Sequence, residues 1–205
     1  MAWRNIAKTK ETLLPMILHP GQMLIVFDTE TTGLGPDAKI IQFSGIRFRV
    51  DDQLKFHMVN QLDVYINPEQ PLPSKIVEIT GITDEILKHA DPESVMAPII
   101  FSFLESAPYW AAYNSGFDLR MLSQMEDRTY LMLERSHTID ILEMARDWFQ
   151  KPEVEDHKLG TIFSHLFSDE NIQFHSAIED VKAAAKVMEF LLPKYRDWEP
   201  GSIVT

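Results

Sequence analysis

The stretch Phe27-Asp28-Thr29-Glu30-Thr31-Thr32-Gly33-Leu34 decides how the rest of the chain is read. It continues the apolar run Met23-Leu24-Ile25-Val26, and together they predict a short buried strand. Side chains on a strand alternate between faces, so Asp28 and Glu30 share one face. An otherwise apolar strand has no structural use for two neighbouring charges. Burying unpaired carboxylates together is costly, or forces one of them to take up a proton. A divalent cation removes that penalty, so the stretch points to a metal site at a strand end.

Two strand patterns follow between residues 39 and 66. Ile46, Phe48 and Val50 alternate with Arg47 and Arg49, and Leu54, Phe56, Met58, Leu62, Val64 and Ile66 alternate with mostly polar residues. Asp51-Asp52 reads as the hairpin turn between them. Beyond the proline-rich segment 68–73, helices are predicted at 74–79, 91–106, 117–127, 158–167 and 177–195. Strands are expected at 109–114 and 138–141, the latter running into a helix that ends near Gln150. A strand meander followed by alternating helices and strands is the pattern of an α/β domain with a mixed sheet. Residues 1–21 show no clear periodicity and read as an N-terminal extension. The domain proper is expected over 22–196, with a tail at 197–205.

The chain has 205 residues, 45% of them hydrophobic, and no cysteine, so disulfides and thiolate metal sites are excluded. Its only early apolar run, Leu13 to Leu18, is short and carries Pro15, unlike a signal peptide or membrane span. A cytoplasmic protein without a membrane partner is expected. The formal net charge of −12 argues against a general duplex-DNA binder, which carries a basic face. It is compatible with an enzyme that grips one end of a nucleic acid through metal ions.

Two further acidic positions extend the site. In Tyr113-Asn114-Ser115-Gly116-Phe117-Asp118 a strand ends and Asp118 falls in the first turn of a helix. Taken alone, Ser115 and Asp118 also read as a capping box. In His175-Ser176-Ala177-Ile178-Glu179-Asp180, Ser176 and Glu179 make a second capping box. His175 and Asp180 then occupy the two positions flanking a helix start that touch as a staple. Alone, that pair reads rather as a surface His–Asp contact of little energy. Together the four acids supply oxygen ligands suited to Mg²⁺ or Mn²⁺. Four carboxylates can hold two such ions for in-line phosphoryl displacement. His175 titrates near neutrality and can take a proton from an attacking water.

The motifs FDTETTGL, NSGFD and HSAIED, in this order, resemble those of the DEDDh 3′–5′ exonuclease family. That family includes the proofreading exonucleases of bacterial DNA polymerases, RNase T and oligoribonuclease. Ile66-Asn67-Pro68, the segment Ile76 to Thr83, Thr138 to Leu142 and Lys158-Leu159-Gly160 also look like it, so the resemblance spans roughly residues 23–192.

The resemblance implies a ribonuclease H-like fold, with a mixed five-stranded sheet flanked by helices. It implies two-metal hydrolysis of 3′-terminal phosphodiesters to nucleoside 5′-monophosphates. Asp28, Glu30, Asp118 and Asp180 match the metal ligands, and His175 matches the general base. Thr31, Thr32 and Leu34 match contacts to the 3′-terminal nucleotide, and Asn114 and Phe117 recur in the second motif. Many members have His-Asn where this chain has Tyr113-Asn114, and a glutamate in place of Gln42. The expected partners are a single-stranded nucleic-acid 3′ end and a polymerase or repair complex. DNA is the expected substrate, with RNA the alternative. A binding subunit with secondary catalysis is the alternative of another class.

Overall fold

The computed structural model describes residues 2–169 and 176–200. Five strands form one sheet: β1 (Met23–Thr31), β2 (Ile40–Val50), β3 (Phe56–Tyr65), β4 (Tyr109–Ala112) and β5 (His137–Asp140), in the order β3-β2-β1-β4-β5. β1, β2 and β3 are antiparallel, while β4 and β5 run parallel to β1. This is the expected mixed sheet. Eight helices complete the described chain: α1 (Ala2–Leu18), α2 (Ser74–Thr80), α3 (Asp84–Leu87), α4 (Glu93–Glu105), α5 (Ser115–Thr129), α6 (Ile141–Trp148), α7 (Leu159–Leu166) and α8 (Ala177–Asp197).

The alternation along β1 sorts its side chains into two cores. Leu24 and Val26 join the layer built by α1, α6, α7 and α8, where Val181, Met188, Leu192 and Tyr195 are buried. Ile25 and Phe27 face the layer of α4 and α5, with Met121, Leu122 and Met125. Phe27 stacks on Phe43 at 5.9 Å and meets the edge of Trp110 at 6.4 Å. Trp110 is fully buried, and its indole N–H donates to the Leu104 carbonyl at 2.7 Å. β2 passes beneath Phe103 at Gly45, where a Cβ would lie 2.7 Å from the Phe103 ring.

Three local expectations are corrected. In place of an aperiodic extension over residues 1–21, Ala2–Leu18 form α1. Ile6, Leu13, Met16 and Ile17 lie on one helical face and are buried against the α8 layer. Pro15 is absorbed within that helix at the loss of one backbone hydrogen bond. The single alternating face expected for β3 is split, because the register shifts between Arg47 and Phe48. One extra residue reverses the parity of a strand. Phe56 therefore packs with Phe48 in the α8 layer, while Leu62 and Val64 pack in the α5 layer. Neither expected capping box forms. Asn114, in the left-handed conformation, caps α5 in place of Ser115, and Ser176 caps α8 without a side-chain hydrogen bond.

Candidate active site

β1, β4 and β5 are parallel, so their carboxyl ends meet at one edge of the sheet. The chain leaves β1 toward β2 on one side, while β4 lies on the other, making a crevice at a topological switch point. A register shift between Glu30 and Thr31 ends the β1 ladder there. Two helices begin beside this edge. α5 follows β4 directly and presents Asp118 from its first turn, and α8 presents Asp180 from its own.

Asp28, Glu30 and Asp180 come together. One ligand oxygen from each lies within 4.8 Å of the others. Burial raises the Asp28 pKa well above its ordinary value, and Asp118, Glu30 and Asp180 raise it further. Burial and then Asp180 push Glu30 up to about 7. The cross-strand neighbours of these acids, Ser44 and Gln42, donate instead to Asp63, at 2.6 and 2.9 Å. The donor set is three carboxylates whose negative charges repel, on a strand end still partly open to solvent. Such a set fits a hard divalent cation.

Asp118 stands apart from this trio in its bonding. It is 2% exposed, and its Oδ1 accepts the Thr29 hydroxyl at 2.7 Å. Thr29 points to the opposite face of β1 from Asp28 and Glu30, so Asp118 reaches the strand end from the α5 side. Burial raises the Asp118 pKa to about 7, and the Thr29 hydrogen bond opposes the rise.

The other expected residues are placed in different ways. Thr31 and Thr32 are buried and use their hydroxyls on the turn: Thr31 donates to the Gly33 carbonyl at 2.7 Å, and Thr32 accepts from the Lys39 amide at 3.0 Å. That turn projects Leu34, which is 76% exposed. Asn114 is exposed, and Phe117 packs partly into the α5 core. His175 lies outside the described residues. Asp140 caps α6, accepting from the amides of Leu142 and Glu143 at 2.9 and 3.3 Å, and takes the Ser115 hydroxyl at 3.2 Å.

Sequence reasoning missed Thr29. Its position between two acids places it on the other strand face, where only the three-dimensional path of α5 reveals a partner. Tyr113, Thr161 and Ser164 were also not expected as walls, yet they line a cleft of about 660 Å³ with Asp28 and Asp180. The Tyr113 hydroxyl donates to the His157 carbonyl at 2.6 Å, tying the end of β4 to the segment before α7. Lys158, Leu159 and Gly160, quoted for the family resemblance, line the same cleft.

A mixed five-stranded sheet flanked by helices, with a carboxylate cluster at the central strand's end, is the ribonuclease H-like architecture. The exonuclease family model described as RNase_T matches residues 25–188, and the chain belongs to that family. The DNA polymerase III PolC-type of Caldanaerobacter subterraneus subsp. tengcongensis is 28% identical over 174 residues, covering 84% of this chain and 12% of that protein. The Bacillus subtilis PolC-type polymerase is 32% identical over 169 residues, covering 80% and 11%. The chain thus spans about a tenth of these relatives' length. The fold of E. coli Exonuclease I, crystallised with a dT13 oligonucleotide, superposes with a TM-score of 0.69 at 21% identity, over 83% of this chain and 41% of the other.

Proposed function

We propose that the chain is a metal-dependent 3′–5′ exonuclease acting on single-stranded DNA or unpaired 3′ ends, and releasing nucleoside 5′-monophosphates. The convergence of Asp28, Glu30 and Asp180 within 4.8 Å, beside a buried Asp118, carries this reading. Asp28, Glu30 and Asp180, with Asp118 beside them, would hold Mg²⁺ or Mn²⁺. Two such ions, when bound, supply positive charge that polarises the scissile phosphodiester and acidifies the attacking water.

The chain's own groups do the rest. His175 accepts a proton from that water, as its place in the family's third motif implies. Leu34, exposed on the turn after β1, offers an apolar surface to the face of the terminal base without reading its identity. The hydroxyls of Thr31 and Thr32 fix the turn that presents Leu34, so their contribution is to its position. Asn114 and Phe117 support the start of α5 and with it Asp118.

No helix among the described residues is long and apolar enough to cross a membrane. We place the enzyme in the cytoplasm, its catalytic unit being residues 22–196 together with α1, which packs into the same core. The PolC-type relatives point to a polymerase or repair complex as partner. Matched oligonucleotides with free and blocked 3′ ends, incubated with Mn²⁺ or EDTA, test the reading. Degradation of only the free end, and only with metal, is expected. Equal loss of both, or activity that survives chelation, refutes it. Faster hydrolysis of the matched RNA would assign the same chemistry to a ribonuclease.

A further inference from the structure

The face of β1 that carries Asp28 and Glu30 continues across the sheet as a polar row. In the antiparallel register Asp28 lies opposite Ser44 and Glu30 opposite Gln42, and Ser44 in turn lies opposite Asp63 on β3. Residues directly opposite one another share a face, with Cβ atoms about 5 Å apart. Ser44 is fully buried and Gln42 is 5% exposed, so neither turns to water for a partner. Ser44 thus stands between two carboxylates with one hydroxyl proton to give. It donates that proton to Asp63 Oδ1 at 2.6 Å. The Gln42 amide nitrogen donates to the same oxygen at 2.9 Å, toward β3 and away from Glu30 on β1. Asp63, itself exposed, therefore draws both buried donors to the far side of β2 from the carboxylate cluster.

We propose that Asp63 is a positioning residue for the metal site: it holds the Ser44 hydroxyl and the Gln42 amide off Asp28 and Glu30, and so leaves these two carboxylates free to take a divalent cation. The proposal rests on the reading of the carboxylate cluster as a metal site. A hydroxyl or amide donated to an ionised carboxylate makes a strong, charge-assisted hydrogen bond. At Asp28 or Glu30 such a bond would have to be given up as a cation approached the same oxygens. With the donors held by Asp63, the neighbours these two acids meet are other acids.

The test is isothermal titration of Mn²⁺ into wild type, Asp63→Asn and Asp63→Ala. Both variants remove the same charge. Asparagine keeps an Oδ1 that accepts from Ser44 and Gln42, whereas alanine releases both donors. Asp63→Ala should bind Mn²⁺ about tenfold more weakly than Asp63→Asn, the size of effect exerted by groups behind a metal ligand. Adding Ser44→Ala and Gln42→Met to Asp63→Ala removes the released donors and should restore the affinity of Asp63→Asn. Asp63 is exposed, so both single variants keep the fold, and they decide the question even where the triple variant does not fold. A merely structural Asp63 would lower the melting temperature of metal-free Asp63→Ala and leave the two affinities equal. Equal affinities, or a folded triple variant that binds as weakly as Asp63→Ala, overturn the proposal. A wild type that takes up no Mn²⁺ overturns the metal-site reading, and the proposal with it.

Discussion

Two regions of this molecule bury carboxylates in opposite ways. Asp147, on α6, is 5% exposed, and its Oδ2 accepts the hydroxyls of Thr9 from α1 and Tyr195 from α8, each at 2.8 Å. Burial raises its pKa, and both hydroxyls oppose the rise. At the end of β1, burial raises Asp28 and Glu30, and their other neighbours named above raise them further. Asp147 is a buried acid with donors, which cross-links three helices. Asp28 and Glu30 are partly buried acids among other acids, a state that a cation or a proton relieves. The contrast separates a carboxylate held by donors from carboxylates set among like charges.

The most severe test of the contrast is Asp28→Asn. Hydrolysis should fall on the order of ten-thousand-fold, as for groups that act as a unit in catalysis. The metal-free variant should melt at or above the wild-type temperature, because one of several repelling charges is gone. A variant that unfolds while retaining activity would show the cluster to be structural. Titrating each protein with Mn²⁺ completes the comparison: wild type should gain thermal stability with added ion, and the variant should gain less.

The pH dependence of the metal-free protein is the next largest effect. The folded state holds the Glu30 proton up to about pH 7, against an ordinary value of 4.5. Between about pH 5 and 7 the folded protein therefore binds more protons than the unfolded chain, and stability falls as pH rises. Glu30 alone should account for about 2–3 kcal/mol of that loss. Asp51 and Asp156 have lowered values and are ionised in both states across this window, so they add no slope. Saturating Mn²⁺ should flatten the curve by replacing the proton. Denaturant melts at several pH values, with and without metal, measure this directly. Stability that rises with pH in the metal-free protein would contradict the charge distribution described here.

Asp147→Ala should behave as the mirror image. It leaves the buried Tyr195 hydroxyl without this acceptor, costing about 2–3 kcal/mol of stability. It should leave hydrolysis per folded molecule unchanged. Urea denaturation and an activity assay on the same samples separate the two readouts. A variant as stable as wild type would remove the distinction between the two acids.

The two regions also differ in how much of each the sequence discloses. Asp28 and Glu30 are legible because period-two spacing puts them on one face of an apolar strand, a local fact. Asp118 and Asp180 are legible as acids at helix starts, while their meeting place depends on where α5 and α8 dock. The Asp147 link is hidden, because Thr9, Asp147 and Tyr195 are far apart along the chain and α1 itself was not expected. Within α1 the lysines and Pro15 obscure the spacing of Ile6, Leu13 and Met16. The parity of β3 is likewise hidden, since a bulge belongs to a pair of strands and one strand's pattern does not locate it. Local periodicity thus discloses the chemistry at β1 better than the packing that supports it.

Thr29→Val makes the smallest and finest test, because Asp118 lies between the two extremes. It is buried among acids, yet it has donors, first among them the Thr29 hydroxyl at 2.7 Å and then the backbone amides of Asp118 and Thr29. Valine keeps the shape of threonine and the buried face of β1 while removing the hydroxyl donor. If the hydrogen bond orients Asp118 as a ligand, Mn²⁺ affinity should weaken about tenfold, as when a partner behind a metal ligand is lost. The melting temperature of the metal-free protein should change little, because the lost hydrogen bond is offset by an easier protonation of Asp118. If the bond is structural, as at Asp147, the outcome reverses: stability falls by about 1–2 kcal/mol and metal affinity stays the same. Isothermal titration with Mn²⁺ and a melt of the same variant decide which of the two buried acids Asp118 resembles.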